Sequence, residues 1–449
     1  MTAIPKLPEL AVSELPIGDL KPYRRNARTH SRKQIAQVAG SIQTFGFNVP
    51  VLVDEDNTVL AGHARLAAAR TLGLERIPCV RLSHMSAAQK RAFILADNQL
   101  ALNSQWNEEL LSLELKELIA IDKDFDIGLI GFSVAEIDDL VDGIRLEEPG
   151  NPRDDRLPEI AKVAVTRPGD LWHLGPHRLL CGSAVSAMDS QRLMAGEKAQ
   201  FVLTDPPYNV PIAGHVSGLG RTRHREFAAA SGEMSSGEFR NFLEEAFRNL
   251  RDSSLDGSIH MIFMDWRHMV EIQAAGMAVY DEFKNLIVWV KDNGGMGSFY
   301  RSRHELIFAF KHGTAPHVNS FELGQHGRYR TNVWTCKGMN SFGGKRNEEI
   351  GLHPTVKPVA LLADAIKDVS TRGSIVLDLF GGSGSTLVAA HKTGRRGYLM
   401  EIDPLYCDCI LRRWQIFARD DAILESTGQT LTEVEVMRSA PDIGEPAPG

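Results

Sequence analysis

The sequence predicts an α/β protein: a mostly parallel sheet with helices on both faces, preceded by a smaller α+β unit. Three observations lead there. Beyond residue 160, apolar runs of strand length alternate with helical stretches, as in a parallel sheet whose crossovers are helices. A glycine-rich turn stands where one of those strands ends. A stretch rich in Pro, Gly and charge, Glu147 to Pro158, separates this half from what precedes it.

The elements follow in order. Ser31 to Thr44 has helical spacing, with Ile35, Val38 and Ile42 on one face. Val49 to Val53 reads as a strand and Thr58 to Ala61 as its hairpin partner, across a polar turn. His63 to Leu72 is an alanine-rich helix opened by Gly62, Ile77 to Leu82 a strand, and Ser86 to Ala101 a helix with a serine N-cap. Trp106 to Ile144 stays helical, with a break near Gly128 and Gly131. Past the linker, the expected strands are Phe201–Leu203, Ile259–Met264, Leu286–Val290, Leu306–Phe310, Ile375–Leu379 and Tyr398–Met400. The expected domains are 1–115, a helical connector and linker at 116–160, a catalytic domain at 161–425, and a flexible tail at 426–449.

With 449 residues, the chain can bury more than one core, and 43% hydrophobic with 24% charged residues is ordinary for a soluble protein. No apolar run approaches the ~20 residues that span a bilayer. Met1 to Lys6 does not read as a secretory signal, and five cysteines without zinc-type spacing read as reduced thiols; a cytoplasmic location and no metal are expected. The net charge of −7 argues against non-specific coating of DNA and leaves any DNA contact to local basic patches.

Two motifs carry chemistry. The first, Asp378-Leu379-Phe380-Gly381-Gly382-Ser383-Gly384-Ser385-Thr386, joins a strand to a helix, so a ligand can approach its backbone and the helix start. Such a turn alone is also an ordinary strand-to-helix connection. Glu401 raises its weight: it closes the next strand and can accept from both ribose hydroxyls of an adenosine-containing cofactor. A nicotinamide cofactor fits that arrangement too, but Leu387 stands where the third glycine of G-x-G-x-x-G would be.

The second motif is Thr204-Asp205-Pro206-Pro207-Tyr208. A rigid capped turn is its bland reading. The two prolines, however, stiffen the chain so that Asp205 and the Pro206 carbonyl can both accept from the amino group of a base, while Tyr208 offers a stacking face. A base reaches such a site only by leaving the duplex. Two acceptors favour a pyramidal nitrogen whose lone pair points at a sulfonium methyl, and direct displacement then needs neither a nucleophilic cysteine nor a metal.

Together the motifs resemble the amino-methylating DNA methyltransferases, and their order resembles the permuted beta class. The likeness extends over most of residues 165–425 and includes Trp289 to Asn293, Ser302 to Ile307 and His353-Pro354-Thr355-Val356-Lys357-Pro358. It implies the family's Rossmann-like methyltransferase sheet and S-adenosyl-L-methionine as cofactor. The cofactor contacts it implies are Thr355, Lys357, Asp378, Phe380, Gly382, Gly384, Glu401 and Asp403, and the catalytic residues are Asp205, Pro206, Pro207 and Tyr208. In one departure, Ser183 stands where the strand His177 to Cys181 should lead to an acid that contacts the cofactor's adenine. The N-terminal unit resembles the ParB/sulfiredoxin-like domain through Asn48 to Val53 and Val59 to Arg65. Gly62, His63 and Arg65 are kept and Ala64 replaces an arginine, so DNA binding or docking is expected there rather than CTP hydrolysis. The whole resembles the ParB-type DNA modification methylases.

Double-stranded DNA is the expected partner, with a homodimer and a cognate restriction endonuclease as open expectations. Arg221, Arg223, Arg225, Arg328 and Arg330 are expected on DNA, in loops facing the target, with Lys337, Lys345 and Arg346 behind them. His173, His177, Asp265 and His353 read as structural. Three readings compete: adenine N6 methylation, cytosine N4 methylation by the same machinery, and a ParB-like DNA-binding protein whose methyltransferase half is inactive. Asp205 favours adenine, because cytosine-directed relatives more often carry serine there. A dehydrogenase is more distant, with no evident hydride-site residues.

Overall fold

The computed structural model describes residues 10–121, 127–142, 154–158, 161–210, 232–292, 294, 299–321, 330–336 and 356–439. They fall into two units, Met1–Val141 and Asp142–Gly449. The helical stretch expected to form a connector therefore belongs largely with the first unit.

In that unit, β1 (Val12–Pro16), α1 (Arg32–Phe45), β2 (Val51–Val53), β3 (Val59–Ala61), α2 (His63–Thr71), β4 (Arg76–Arg81), α3 (Ala87–Leu102), α4 (Glu108–Ile121) and α5 (Val134–Asp142) follow in sequence. The sheet order is β1-β4-β2-β3, with β2 antiparallel to β3 and parallel to β4. The boundaries have local causes. Ser31 caps α1, and Ser86 and Gln89 form a capping box on α3. Gly62 opens α2 at φ 96°, a conformation a side chain would strain. Leu20, Val51, Val53, Val59, Leu66, Ala69, Ile77 and Cys79 make the core.

The second unit contains β5 (Leu171–Leu174), β6 (His177–Cys181), α6 (Ala187–Met194), β7 (Ala199–Thr204), α7 (Ser236–Asp252), β8 (Ser254–Met264), α8 (Met269–Val279), β9 (Glu282–Val290), β10 (His304–Lys311), β11 (Val333–Thr335), α9 (Val359–Val369), β12 (Ile375–Asp378), α10 (Ser385–Lys392), β13 (Arg396–Glu401), α11 (Pro404–Ala418), β14 (Ile423–Leu424) and α12 (Leu431–Ser439). One ten-stranded sheet runs β11-β9-β10-β8-β7-β12-β13-β6-β5-β14. Its centre, β8-β7-β12-β13-β6, is parallel throughout. The flanks are mixed: β10 is antiparallel to β8 and β9, and β5 to β6 and β14. The parallel expectation thus holds for the middle; antiparallel pairings flank it on both sides, and β11 closes one edge parallel to β9.

Both faces are covered. Phe201 and Leu203 pack with Leu361, Leu362 and Ile366 of α9, while Val202 points the other way, into Phe239, Leu243 and Phe247 of α7. That is why these strands read as unbroken apolar runs. Two boundary expectations are corrected. Residues 431–439 form a helix with Leu431 and Val434 buried, where a flexible tail was expected. Part of the expected linker docks on the catalytic unit: Lys392 pairs with Asp154, Arg413 donates to the Asp154 carbonyl (2.8 Å), and Asp155 accepts from the Val359 N–H (2.9 Å). Among the described residues no helix is long and apolar enough to cross a membrane.

Candidate active site

The five parallel strands end on one edge, and the chain's reactive groups gather there, as ligand sites do in open α/β sheets. A cavity of about 350 Å³ opens along this edge. Its lining includes Asp205, Pro206, Pro207 and Tyr208 after β7, Asp378 to Ser383 after β12, and Glu401 to Asp403 after β13. The two motifs, 170 residues apart in sequence, thus share one space.

At the glycine-loop end, carboxylates are held by neutral donors. Asp378 Oδ1 accepts from the Thr204 hydroxyl (2.6 Å) and from the Phe380 N–H (3.0 Å), tying the end of β7 to the loop. Glu401 accepts from the Gly382 N–H (2.8 Å) through one oxygen and from the Asp403 N–H (2.9 Å) through the other. Burial pushes both carboxyls up to about 7, against the pull of these hydrogen bonds. Asp403 also caps α11 by accepting from the Leu405 N–H (2.9 Å). Gly382 and Gly384 both take positive φ, 52° and 80°. Gly384 does not line the cavity. It opens α10, and a Cβ there would stand 3.1 Å from Ile410 Cγ2, so its expected cofactor contact becomes a packing requirement. Phe380 lies 6.0 Å from Phe242 between ring centroids and forms an aromatic wall.

At the other end sits a charge network. Tyr208 donates its hydroxyl to Asp205 Oδ1 (2.6 Å). Lys357 Nζ reaches Asp205 Oδ2 at 2.5 Å and Glu305 Oε2 at 3.1 Å, and Lys291 holds the other Glu305 oxygen. Burial works to raise the Glu305 carboxyl, but the two ammonium groups outweigh it and hold it at about 2. Burial also works against the Lys357 ammonium, yet Asp205 and Glu305 raise its pKa above that of an ordinary lysine. Asp205 is raised by burial, with Lys357 opposing. Lys357, expected at the cofactor, is therefore committed to the catalytic turn, although it still lines the cavity.

Glu305 and Lys291 were not among the expected site residues. Both lie in stretches that the family likeness covers, Trp289 to Asn293 and Ser302 to Ile307, but only the pairing of β9 with β10 brings them together. Arg330, expected on DNA, is corrected. Its guanidinium pairs with Asp364 (2.5 Å) and Asp368 (2.9 Å) and covers the Trp334 ring, so those carboxylates already take up its charge. Thr355, His353, Arg221, Arg223, Arg225, Arg328, Lys337, Lys345 and Arg346 lie outside the described residues.

Ser183 lines the cavity, its N–H held by Asp189 (2.9 Å). His177 is structural: its ring meets His391 (3.0 Å) and the Gly397 N–H (2.8 Å), and burial lowers it to about 3. In the first unit, His63 accepts from the Tyr23 N–H (3.3 Å) and Arg65 donates to the Val49 carbonyl (2.9 Å). Among the described residues no group of three or more His, Cys, Asp or Glu is placed to hold a metal ion.

An α/β unit with a Pro-Pro turn and a glycine loop facing one cavity has the layout of a group-transfer enzyme acting on an amino group. Comparison with known proteins agrees. A DNA methylase family model matches residues 199–412, a ParB-methyltransferase HTH domain residues 109–168, and a ParB N-terminal domain residues 1–99. The ParB-like nuclease domain-containing protein YnaK of Escherichia coli (strain K12) is 42% identical over 83 residues, 18% of this chain and 95% of that protein. The type II methyltransferase M.HpaI of Haemophilus parainfluenzae is 27% identical over 53% of this chain and 73% of its own length. The crystal structure of M1.HpyAVI is 18% identical, covers 52% of this chain and 96% of that one, and superposes with a TM-score of 0.37. The chain belongs to the ParB-type DNA modification methylases, and its catalytic unit is a DNA methyltransferase of the N6/N4 class.

Proposed function

We propose that the protein transfers the methyl group of S-adenosyl-L-methionine to the N6 amino group of adenine in DNA. The observation that carries this reading is the single cavity bounded by Asp205–Tyr208 at one end and by the glycine loop with Glu401 at the other. Its volume lies in the ~300–1,000 Å³ range of small-molecule sites. Its donor set suits an adenosine-containing cofactor: a buried carboxylate for the ribose hydroxyls, an aromatic wall, and loop N–H groups. Asp378, Phe380, Gly382, Glu401 and Asp403 would hold that cofactor, with Thr355 as a further contact. Bound there, S-adenosylmethionine supplies an electrophilic methyl carbon on a sulfonium.

The chain's own residues do the rest. Asp205 and the Pro206 carbonyl accept from the base's NH₂, turning its lone pair out of conjugation, and Tyr208 stacks on the base. Lys357 positions the Asp205 carboxylate, and Glu305 with Lys291 fixes Lys357. Asp205 keeps lone pairs beyond those used by Tyr208 and Lys357, so it can accept the N–H and take the proton the nitrogen sheds. The carboxylate at position 205 supports adenine over cytosine, and the intact constellation supports an active enzyme rather than a DNA-binding protein with an idle catalytic half. The test is incubation with methyl-labelled cofactor and DNA, then digestion to nucleosides. N6-methyl-2′-deoxyadenosine is expected. N4-methyl-2′-deoxycytidine would move the substrate to cytosine, and no labelled nucleoside would overturn the reading.

A further inference from the structure

The connection between β9 and β10 leaves the sheet at the same edge as the catalytic turn. β9 lies in the direction of β8, since both are antiparallel to β10, so its end at Val290 and the start of β10 at His304 stand beside the end of β8. The base of this connection is pinned: the Lys291 N–H donates to the Arg303 carbonyl (2.7 Å), and Arg303 Nε donates to the Lys291 carbonyl (3.0 Å). Two residues further, Glu305 joins the network around Asp205, with the Tyr208 hydroxyl 3.4 Å away.

On this rooted connection stand two adjacent aromatic residues in solvent. Phe299 is 84% exposed and Tyr300 85%, with ring centroids 4.4 Å apart. Arg301 and Arg303, both exposed, follow at once. Folding alone gains nothing from presenting two large apolar rings to water. Duplex DNA meets both halves of the patch: phosphates face the guanidinium groups, and bases present flat surfaces to the rings. Drawing a base out of the duplex leaves a gap in the stack, which an apolar side chain can occupy.

We infer that Phe299 and Tyr300 form an aromatic wedge that enters the DNA stack beside the target and fills the space left by the extruded base, with Arg301 and Arg303 on the adjoining phosphates. The inference rests on the proposed methyl transfer to DNA and adds how the duplex is opened for it.

The test uses the full chain. The position methylated by wild-type protein is mapped in unmethylated plasmid DNA. Two synthetic duplexes of that site are then made, one fully paired and one with the target base opposite an abasic position, where the base is already unpaired. The double variant Phe299→Ala/Tyr300→Ala should lose about tenfold or more of its rate on the paired duplex. On the abasic-opposed duplex it should stay within about twofold of wild type, because filling the gap no longer limits opening. Cofactor affinity and melting temperature, measured on the same preparations, should be unchanged. Equal losses on both duplexes, or no loss on either, overturn the wedge. Wild-type protein that methylates no position overturns the reading beneath it, before any variant is made.

Discussion

The two ends of the cavity keep their carboxylates by opposite means. At the glycine loop, Asp378 and Glu401 are held by a hydroxyl and by backbone N–H groups, and burial leaves both near neutrality, at about 7. At the catalytic turn, Glu305 and Asp205 are held by two lysines, and Glu305 stays ionised down to about 2. The difference follows from what each end must do. A carboxylate receiving ribose hydroxyls exchanges one set of neutral donors for another. A carboxylate that must receive a base's amino group needs a fixed position, and Lys357 gives Asp205 one while opposing the upward push of burial on its pKa.

The contrast can be broken from its strong side first. Asp205→Ala should lower methyl transfer by about 10²–10³-fold, the scale of losing one preorganised polar group, while cofactor titration stays near wild type. Lys357→Met leaves two partly buried acids without their shared cation. It should cost about 3 kcal/mol of stability in denaturant unfolding and abolish turnover with it. Glu401→Gln should weaken cofactor binding by about tenfold or more in calorimetry, with the catalytic network intact.

The pH dependence sharpens the comparison further. Since burial raises Glu401 to about 7, it is largely protonated below that pH, and a protonated carboxyl loses acceptor capacity. Cofactor affinity should therefore rise as pH climbs toward 7, by at most about tenfold per unit, and level off above it. A profile flat from pH 5.5 to about 8.5 would contradict the neutral-donor account of this end. The smallest effect is expected at Gly384. Alanine there strains φ 80° and crowds Ile410, costing about 1 kcal/mol of stability and little affinity.

The glycine-loop end was the more legible in sequence, because its signals are local. Asp378 to Thr386 names a strand, a turn and a helix in nine residues, and Glu401 falls at the end of the next apolar run. The catalytic network was half legible. Asp205 to Tyr208 is contiguous, but Glu305 and Lys291 reach it only through the pairing of β9 with β10, which no spacing along the chain encodes. Lys357 was picked out for the right cavity and the wrong partner for the same reason. Arg330 misled because, grouped with Arg328 in a stretch expected to be a loop facing the target, it reads as a DNA contact, whereas Asp364 and Asp368, one helical turn apart on α9, hold it in place. The helical stretches read correctly in the first unit had local caps at Ser31 and Ser86. The terminal helix α12 was missed because only Leu431 and Val434 bury on it, too short a pattern to show a period.

Ultraviolet cross-linking of methyl-labelled S-adenosylmethionine, followed by peptide mapping, tests most directly whether both ends serve one cofactor. Label is expected on the peptides carrying Asp205–Tyr208 or Asp378–Ser383, the two segments that share the cavity, and excess S-adenosylhomocysteine should prevent it. Competable label confined to peptides that contribute nothing to that cavity would contradict the account.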